Sequence, residues 1–325
     1  MKNERWIPVL ATLLVLLLLY SFGISQYKNF ASTLVIGNLL TDNAFVIIAG
    51  VGMTLVILSG GIDLSVGSMI AFVGILIALL VNQAGWHPLV AIAFALCLGT
   101  FIGAIMGWLI DAFELQPFIV TLAVMFFLRG LAFLLSLESV PINHPFVDAF
   151  ANFRLPLPGR GSLTASALVM LAVLGLGIVI AHYTRFGTNI YAIGGDKHSA
   201  GLLGVPVRKT LVGVYAFSGF TSAMAGVIYT LYTASGYPLA AIGVELDVIA
   251  AVVIGGTLLT GGVGFVIGTL LGGLIQGVIQ TLIAFDGSLN SWWTKIVIGL
   301  LLFVFILLQR LLSRSFGASL AVRTI

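Results

Sequence analysis

Charge is the scarcest commodity in this chain. Lys and Arg number 14 and Asp and Glu 11 in 325 residues, only 8% of the total. A soluble domain carries roughly a quarter charged residues, so this one cannot coat a globule with polar surface. Cysteine is nearly missing as well. Cys97 stands alone, which excludes an internal disulfide, and its apolar neighbours predict a packed helix residue. The four histidines (His87, His144, His182 and His198) show no metal-ligand spacing with one another or with Cys97. The spacing from Gly256 to Gly261 begins like a phosphate-binding loop, but Gly262 and Val263 follow where that motif needs Lys and Ser or Thr. Gly194-Gly195 has no soluble βαβ unit around it to make a dinucleotide site. No catalytic constellation stands out, and the pattern does not point to an enzyme. The net charge of +3 comes from residues scattered in loops, so no nucleic-acid surface is expected.

What is present is apolar length. The chain is 60% hydrophobic with a mean hydropathy of +1.19. Apolar runs of about 18 residues or more predict membrane helices, whose backbone polar groups are satisfied within the segment as lipid demands. The 39 glycines fit that reading, because small residues let helices approach closely in a membrane.

We read ten spans. They cover about residues 6–24, 44–58, a third ending near 81, 88–110, 117–137, 163–181, 211–233, 245–259, 265–285 and 292–308. The first is too long for a signal-peptide core and shows no convincing cleavage site. A short amphipathic segment, 30–43, precedes the second span. The polar run 59–68 interrupts the second and third, and 260–264 breaks the eighth from the ninth. Residues 138–162 form a loop rich in Pro and Gly. The expected class is an all-α polytopic membrane protein, one transmembrane domain over 1–325 with a loop at about 184–210.

Ten spans put both termini on one side. With that side cytoplasmic, nine basic residues face inward: Lys2, Arg5, Arg185, Lys197, Arg208, Lys209, Arg310, Arg314 and Arg323. Lys28, Arg154, Arg160 and Lys295 face outward, and Arg129 lies within a span. The bias predicts cytoplasmic termini. A short echo between residues 61–66 and 243–248 suggests a five-plus-five inverted repeat, or merely shared helix-start chemistry.

The longest polar island, 182–210, then faces the cytoplasm. Asp196 is placed to cap a short helix through Leu203, with Gly204 to end it and Pro206 to block its continuation. Such a helix suits a groove in a soluble protein. Among polar residues near or inside spans, Asp63 and Glu245 each precede an apolar run. They read either as helix-start acids or, with Ser65, as a polar lining for a hydrophilic solute. Asp247 and Arg129 lie inside spans, where an ionisable group needs a cavity or a partner. For Arg129 a structural clamp is preferred to a substrate contact.

Several runs, in their order, resemble the membrane permeases of bacterial sugar ABC importers of the ribose type. They are GMTLVILSGGIDLSVGS at 52–68, FLRG at 127–130, TRFG at 184–187, YAIGG at 191–195 and ELDVIAAVVIGGT at 245–257. The resemblance covers nearly the whole chain. VPINHP at 140–145 and the region 286–295 carry a closer likeness to the galactofuranose-importing branch. The family implies a transport subunit in the inner membrane with no cofactor of its own. Its expected partners are an ABC ATPase subunit, a second related permease, a periplasmic sugar-binding protein and a sugar. It also implies that Tyr191, Gly194, Gly195, Asp196, Ser199, Leu202, Leu203 and Gly204 belong to the helix that couples to the ATPase. Ser199 and Gly201 fall where the family often has an acid and an arginine, so the contact is expected to rest on shape. An ion-coupled secondary transporter is the rival reading, with Asp247 as its coupling carboxylate.

Overall fold

The computed structural model describes residues 6–290 and 292–321. The chain opens with α1 (Ile7–Gln26), α2 (Thr33–Asp42), α3 (Ala44–Leu58), α4 (Val66–Asn82), α5 (Pro88–Ala112) and α6 (Pro117–Leu135). Next come β1 (Val140–Pro141), α7 (Pro145–Asn152), β2 (Arg154–Pro156), β3 (Ser162–Thr164), α8 (Ala165–Tyr183), α9 (Arg185–Gly195) and α10 (Lys197–Leu202). The last elements are α11 (Val207–Thr233), β4 (Ser235–Gly236), α12 (Val244–Ile254), α13 (Val266–Asp286) and α14 (Trp292–Ala321).

Local chemistry sets many of the boundaries. Pro88, Pro117 and Pro145 open α5, α6 and α7, where a missing N–H costs nothing. Side chains of Ser32, Thr164 and Thr184 accept from the first-turn amides of α2, α8 and α9. Gly287, at φ +68°, ends α13 in the left-handed region.

Helices α1, α5, α6, α8, α11 and α13 are long and apolar enough to cross a membrane, and α2 with α3, bent by 53°, makes a seventh. The predicted ten runs all appear as helices, but they are not ten equal spans. The eighth is shorter than expected. α12 has 11 residues, about 16 Å, roughly half of the ~30 Å hydrocarbon core. It stops because Gly255 and Gly256 release the chain into the loop before α13; Gly256 has φ +94°. The amphipathic segment before the second span is the helix α2, and the loop 138–162 holds α7 and the β2–β3 hairpin. Cys97 is exposed on α5 rather than packed. Lys2, Arg5 and Arg323, counted in the charge bias, lie outside the described residues.

α3 occupies the centre, its side chains almost all buried, among α8, α11, α12 and α13. Along α5, Gly99, Gly103 and Gly107 recur every four residues against the α11 backbone near Gly219, Ala216 and Val212. The two helices thus touch backbone to backbone, the packing small residues permit in lipid. The outer rim is apolar and exposed, with Leu14, Leu18, Phe101, Phe126 and Leu134 all facing outward. Gly67, one residue past the first echo segment, lies at the start of α4 against Glu245 of the second. From there α4 runs to Pro141, which Asn82 contacts through its side-chain amide. α12 runs the other way, to Gly268 and Pro8.

Candidate functional site

The polar island is mostly helical. Its first part, α9, was not foreseen in the sequence, and its last residues already belong to α11. Thr184 turns the chain at the end of α8, accepting from the Gly187 amide at 3.2 Å and donating to the Ile180 carbonyl at 2.6 Å. Tyr191 on α9 donates to the Gly264 carbonyl at 2.7 Å, and its hydroxyl lies 3.3 Å from His182 Nδ1. α9 is therefore tied to the loop between α12 and α13.

Three glycine loops converge one turn later. The Gly262 amide donates to the Leu58 carbonyl at 3.0 Å. Gly194 sits directly on that bond, with no room for a β-carbon against the Leu58 and Gly262 backbones. Gly261 packs on Gly60 and on the Gly194 carbonyl. The ends of α3, α9 and α12 are thereby joined through backbone alone. Gly195, the next residue, faces open space.

α10 hangs from this junction. Asp196 accepts from the Ser199 amide at 2.5 Å, and the bonds to Ser199 hold its carboxyl below the usual carboxylate range. Gly204, at φ +82°, ends the turn in the left-handed region. Ala200 is buried, while Leu202 is 77% and Leu203 85% exposed. Leu202, the last residue of α10, and Leu203, its C-cap, thus form a small apolar spot facing away from their own protein. Lys197 reaches Asp111 at the end of α5, Nζ to Oδ1 3.4 Å. Between α10 and the helix ends lies an open cavity of about 810 Å³. The Tyr215 hydroxyl, fully buried at its inner wall, has no hydrogen-bond partner among the described residues. A water entering the cavity would satisfy it.

The remaining candidates sit deeper. Asp63 is completely buried. Its Oδ1 accepts from the Ser65 amide at 2.9 Å and the Ser65 hydroxyl at 2.6 Å, and Oδ2 accepts from Ser218 on α11 at 2.7 Å. The carboxylate thus fastens the break before α4 to α11 and is sealed from any cavity. Arg129 Nη1 donates to the carbonyls of Pro238 at 2.6 Å and Ala240 at 2.8 Å, with Glu245 close enough to act on it electrostatically. It holds the segment between α11 and α12. Asp247 is not free: Lys295 Nζ meets its Oδ1 at 2.7 Å, and its carbonyl accepts from Gln276 at 2.9 Å. The island residues come together on one face. Asp63, Ser65, Arg129, Glu245 and Asp247 are spread through the interior and do not form one site.

Sequence reasoning passed over Tyr215, Gln280 and Lys295 as a partner of Asp247, and it placed Asn38 and Asp42 in the amphipathic segment 30–43 without giving them a role. For Asp42 a signal existed: Asn38 and Asp42 are four residues apart and so share a helix face.

A many-helix bundle with six to seven spans long and apolar enough to cross a membrane, and a short exposed helix on one face, is the architecture of an all-α polytopic membrane protein. The chain belongs to the family described as branched-chain amino acid transport system / permease component, whose model matches residues 35–306. Its relatives include the inner membrane ABC transporter permease protein YjfF of Escherichia coli K12, 54% identical over 94% of this chain and 93% of that one. The fructose import permease FruG of Bifidobacterium longum is 37% identical over 95% and 92%. The ribose import permease RbsC of Escherichia coli K12 is 38% identical over 82% and 83%. The chain is thus a permease of the ABC importer family that contains these sugar permeases. No solved structure matches it.

Proposed function

We propose that this chain is one of two permease subunits in an ATP-driven sugar importer of the bacterial inner membrane, and that its substrate is galactofuranose. An ABC ATPase docks on α10 from the cytoplasm, where both termini also lie. A periplasmic sugar-binding protein docks on the opposite face, which carries α7 and the β2–β3 hairpin. The second permease is a related but different chain. The observation that carries this reading is α10 itself, capped by Asp196 and offering Leu202 and Leu203 to a partner's groove. Tyr191, Gly194 and Gly195 connect that helix to the loops that end α3 and α12, while Ser199 and Gly204 set its two ends. ATP binding moves α10, the glycine junction carries the shift to the broken helices, and the path changes the face to which it opens. The substrate rests on the likeness at 140–145 and 286–295 to the galactofuranose-importing branch.

The ion-coupled rival is less favoured because Asp247, its coupling carboxylate, is engaged by Lys295. Reconstitution separates the two. Vesicles with the full complex should accumulate sugar only with ATP inside the compartment of the ATPase. Accumulation by this chain alone, driven by a proton gradient, would end the proposal.

A further inference from the structure

We infer that a polar recess between α2, α13 and the start of α14 is a binding station for a neutral polyhydroxylated sugar on the transport path, with Asp42 and Gln280 as its central contacts. This rests on the importer reading above and adds the site and the chemical class of solute.

Position is the first reason. Thr41, next to Asp42, bonds Thr164 at the start of α8 at 3.0 Å, and Asp42 itself meets Tyr232 near the end of α11. The recess therefore lies toward the end of the bundle that carries the β2–β3 hairpin, away from α10, on the face where the importer reading has the binding protein deliver sugar. Asp42 is exposed there, and its carboxylate faces water or a partner, because lipid cannot solvate it.

The recess supplies the water. Two cavities of about 580 and 260 Å³ share Gln280 and Ala284 as a common wall. Asn38, Asp42 and Thr281 line the smaller one, and Trp292, Thr294 and Lys295 the larger. Gln280 is exposed although it sits on a membrane-spanning helix. Amides, a hydroxyl and a carboxylate offer the mixed donors and acceptors that sugar hydroxyls match. Trp292, 73% exposed, adds a flat apolar surface for the C–H face of a ring.

Charge selects the solute. Asp247 neutralises Lys295, while among the described residues Asp42 meets only the Tyr232 hydroxyl, Oη to Oδ1 3.1 Å. Among the described residues that line it, the recess therefore keeps one negative charge, which repels sugar phosphates and sugar acids and suits neutral sugars. One Asp42 oxygen is left to accept from the sugar.

The test uses the assembled transporter, with ATPase, second permease and binding protein, in proteoliposomes. In a Cys97→Ala background, Gln280→Cys is treated with a charged, water-soluble methanethiosulfonate, and Phe101→Cys on the apolar rim is the control. We expect Gln280→Cys to react at least tenfold faster than the control. Radiolabelled D-galactose, D-ribose and D-fructose serve as probes through the binding protein, with D-galacturonate as the charged comparison. At least one neutral sugar should slow the labelling threefold or more, and the acid should not. Asp42→Asn should cut uptake about tenfold while the ATPase still co-purifies. An unreactive Gln280→Cys, or labelling that no sugar slows, overturns the inference. So does labelling of the isolated chain that disappears on pairing with the second permease, because the recess is then a subunit interface. If the unaltered complex takes up no sugar with ATP, the importer reading fails instead.

Discussion

The Gly194–Gly195 pair offers a sharp test, because one substitution at adjacent residues has opposite expected effects. A β-carbon on Gly194 would fall 2.5 Å from the Gly262 nitrogen and 2.9 Å from the Leu58 carbonyl carbon, closer still to its oxygen. All of these are backbone atoms, so no rotamer change relieves the clash. Overpacking of this kind costs about 1–3 kcal/mol. Forcing the loops apart also breaks the Gly262–Leu58 bond in a buried setting, another ~1–3 kcal/mol. Against this, Ala in place of a helical Gly gains about 0.5–1 kcal/mol. Gly194→Ala should therefore destabilise by roughly 3 kcal/mol. Gly195→Ala meets nothing within 4 Å and should be neutral or stabilising by about 0.5–1 kcal/mol. Thermal unfolding in detergent and the folded amount in membranes read both. Equal stability of the two variants would refute the backbone junction as the anchor of α10.

Leu203→Asp, at an 85% exposed position, should leave the folded amount unchanged but abolish sugar uptake and weaken ATPase co-purification; intact uptake removes α10 from the mechanism. Arg129→Leu strips the donor from the Pro238 and Ala240 carbonyls, and charge-assisted bonds are worth about 1.5–3 kcal/mol each. It should lower abundance more than it changes sugar preference, as quantitative membrane blots and competition uptake would show; the opposite pattern assigns Arg129 to the substrate. The depressed carboxyl of Asp196 stabilises its cap above the ordinary carboxylate range. That contribution is lost only as pH falls through the lowered value. Hydrogen exchange at the Ser199 amide should accelerate there, and Asp196→Asn should flatten the pH dependence.

Short-range signals explain what was readable in advance. Apolar runs placed ten of the helices, α12 shorter than read among them, because a membrane helix satisfies its own backbone and needs no distant partner to form. The α10 cap was readable for the same reason, since Asp196 and Ser199 are three residues apart. Reading failed where the decisive neighbour is remote. The length of α12 depends on how its terminal glycines pack on α1 and α13. Asp247 looked available for coupling until Lys295, 48 residues away, was seen beside it. Asp63 had two local readings, and Ser218, 155 residues on, closes its second oxygen.

By itself, then, the sequence determined the class of molecule, the places of its helices and the small helix on one face. Hydrophobic length and capping are properties of consecutive residues. Tertiary structure alone decided which polar groups are sealed and which face an open recess. It is what set Asp63 against Ser218 and left Asp42 uncovered beside the ends of α8 and α11. The physical reason is that a polar group inside a membrane protein takes its meaning from the partner across from it, and that partner is chosen by packing rather than by position along the chain.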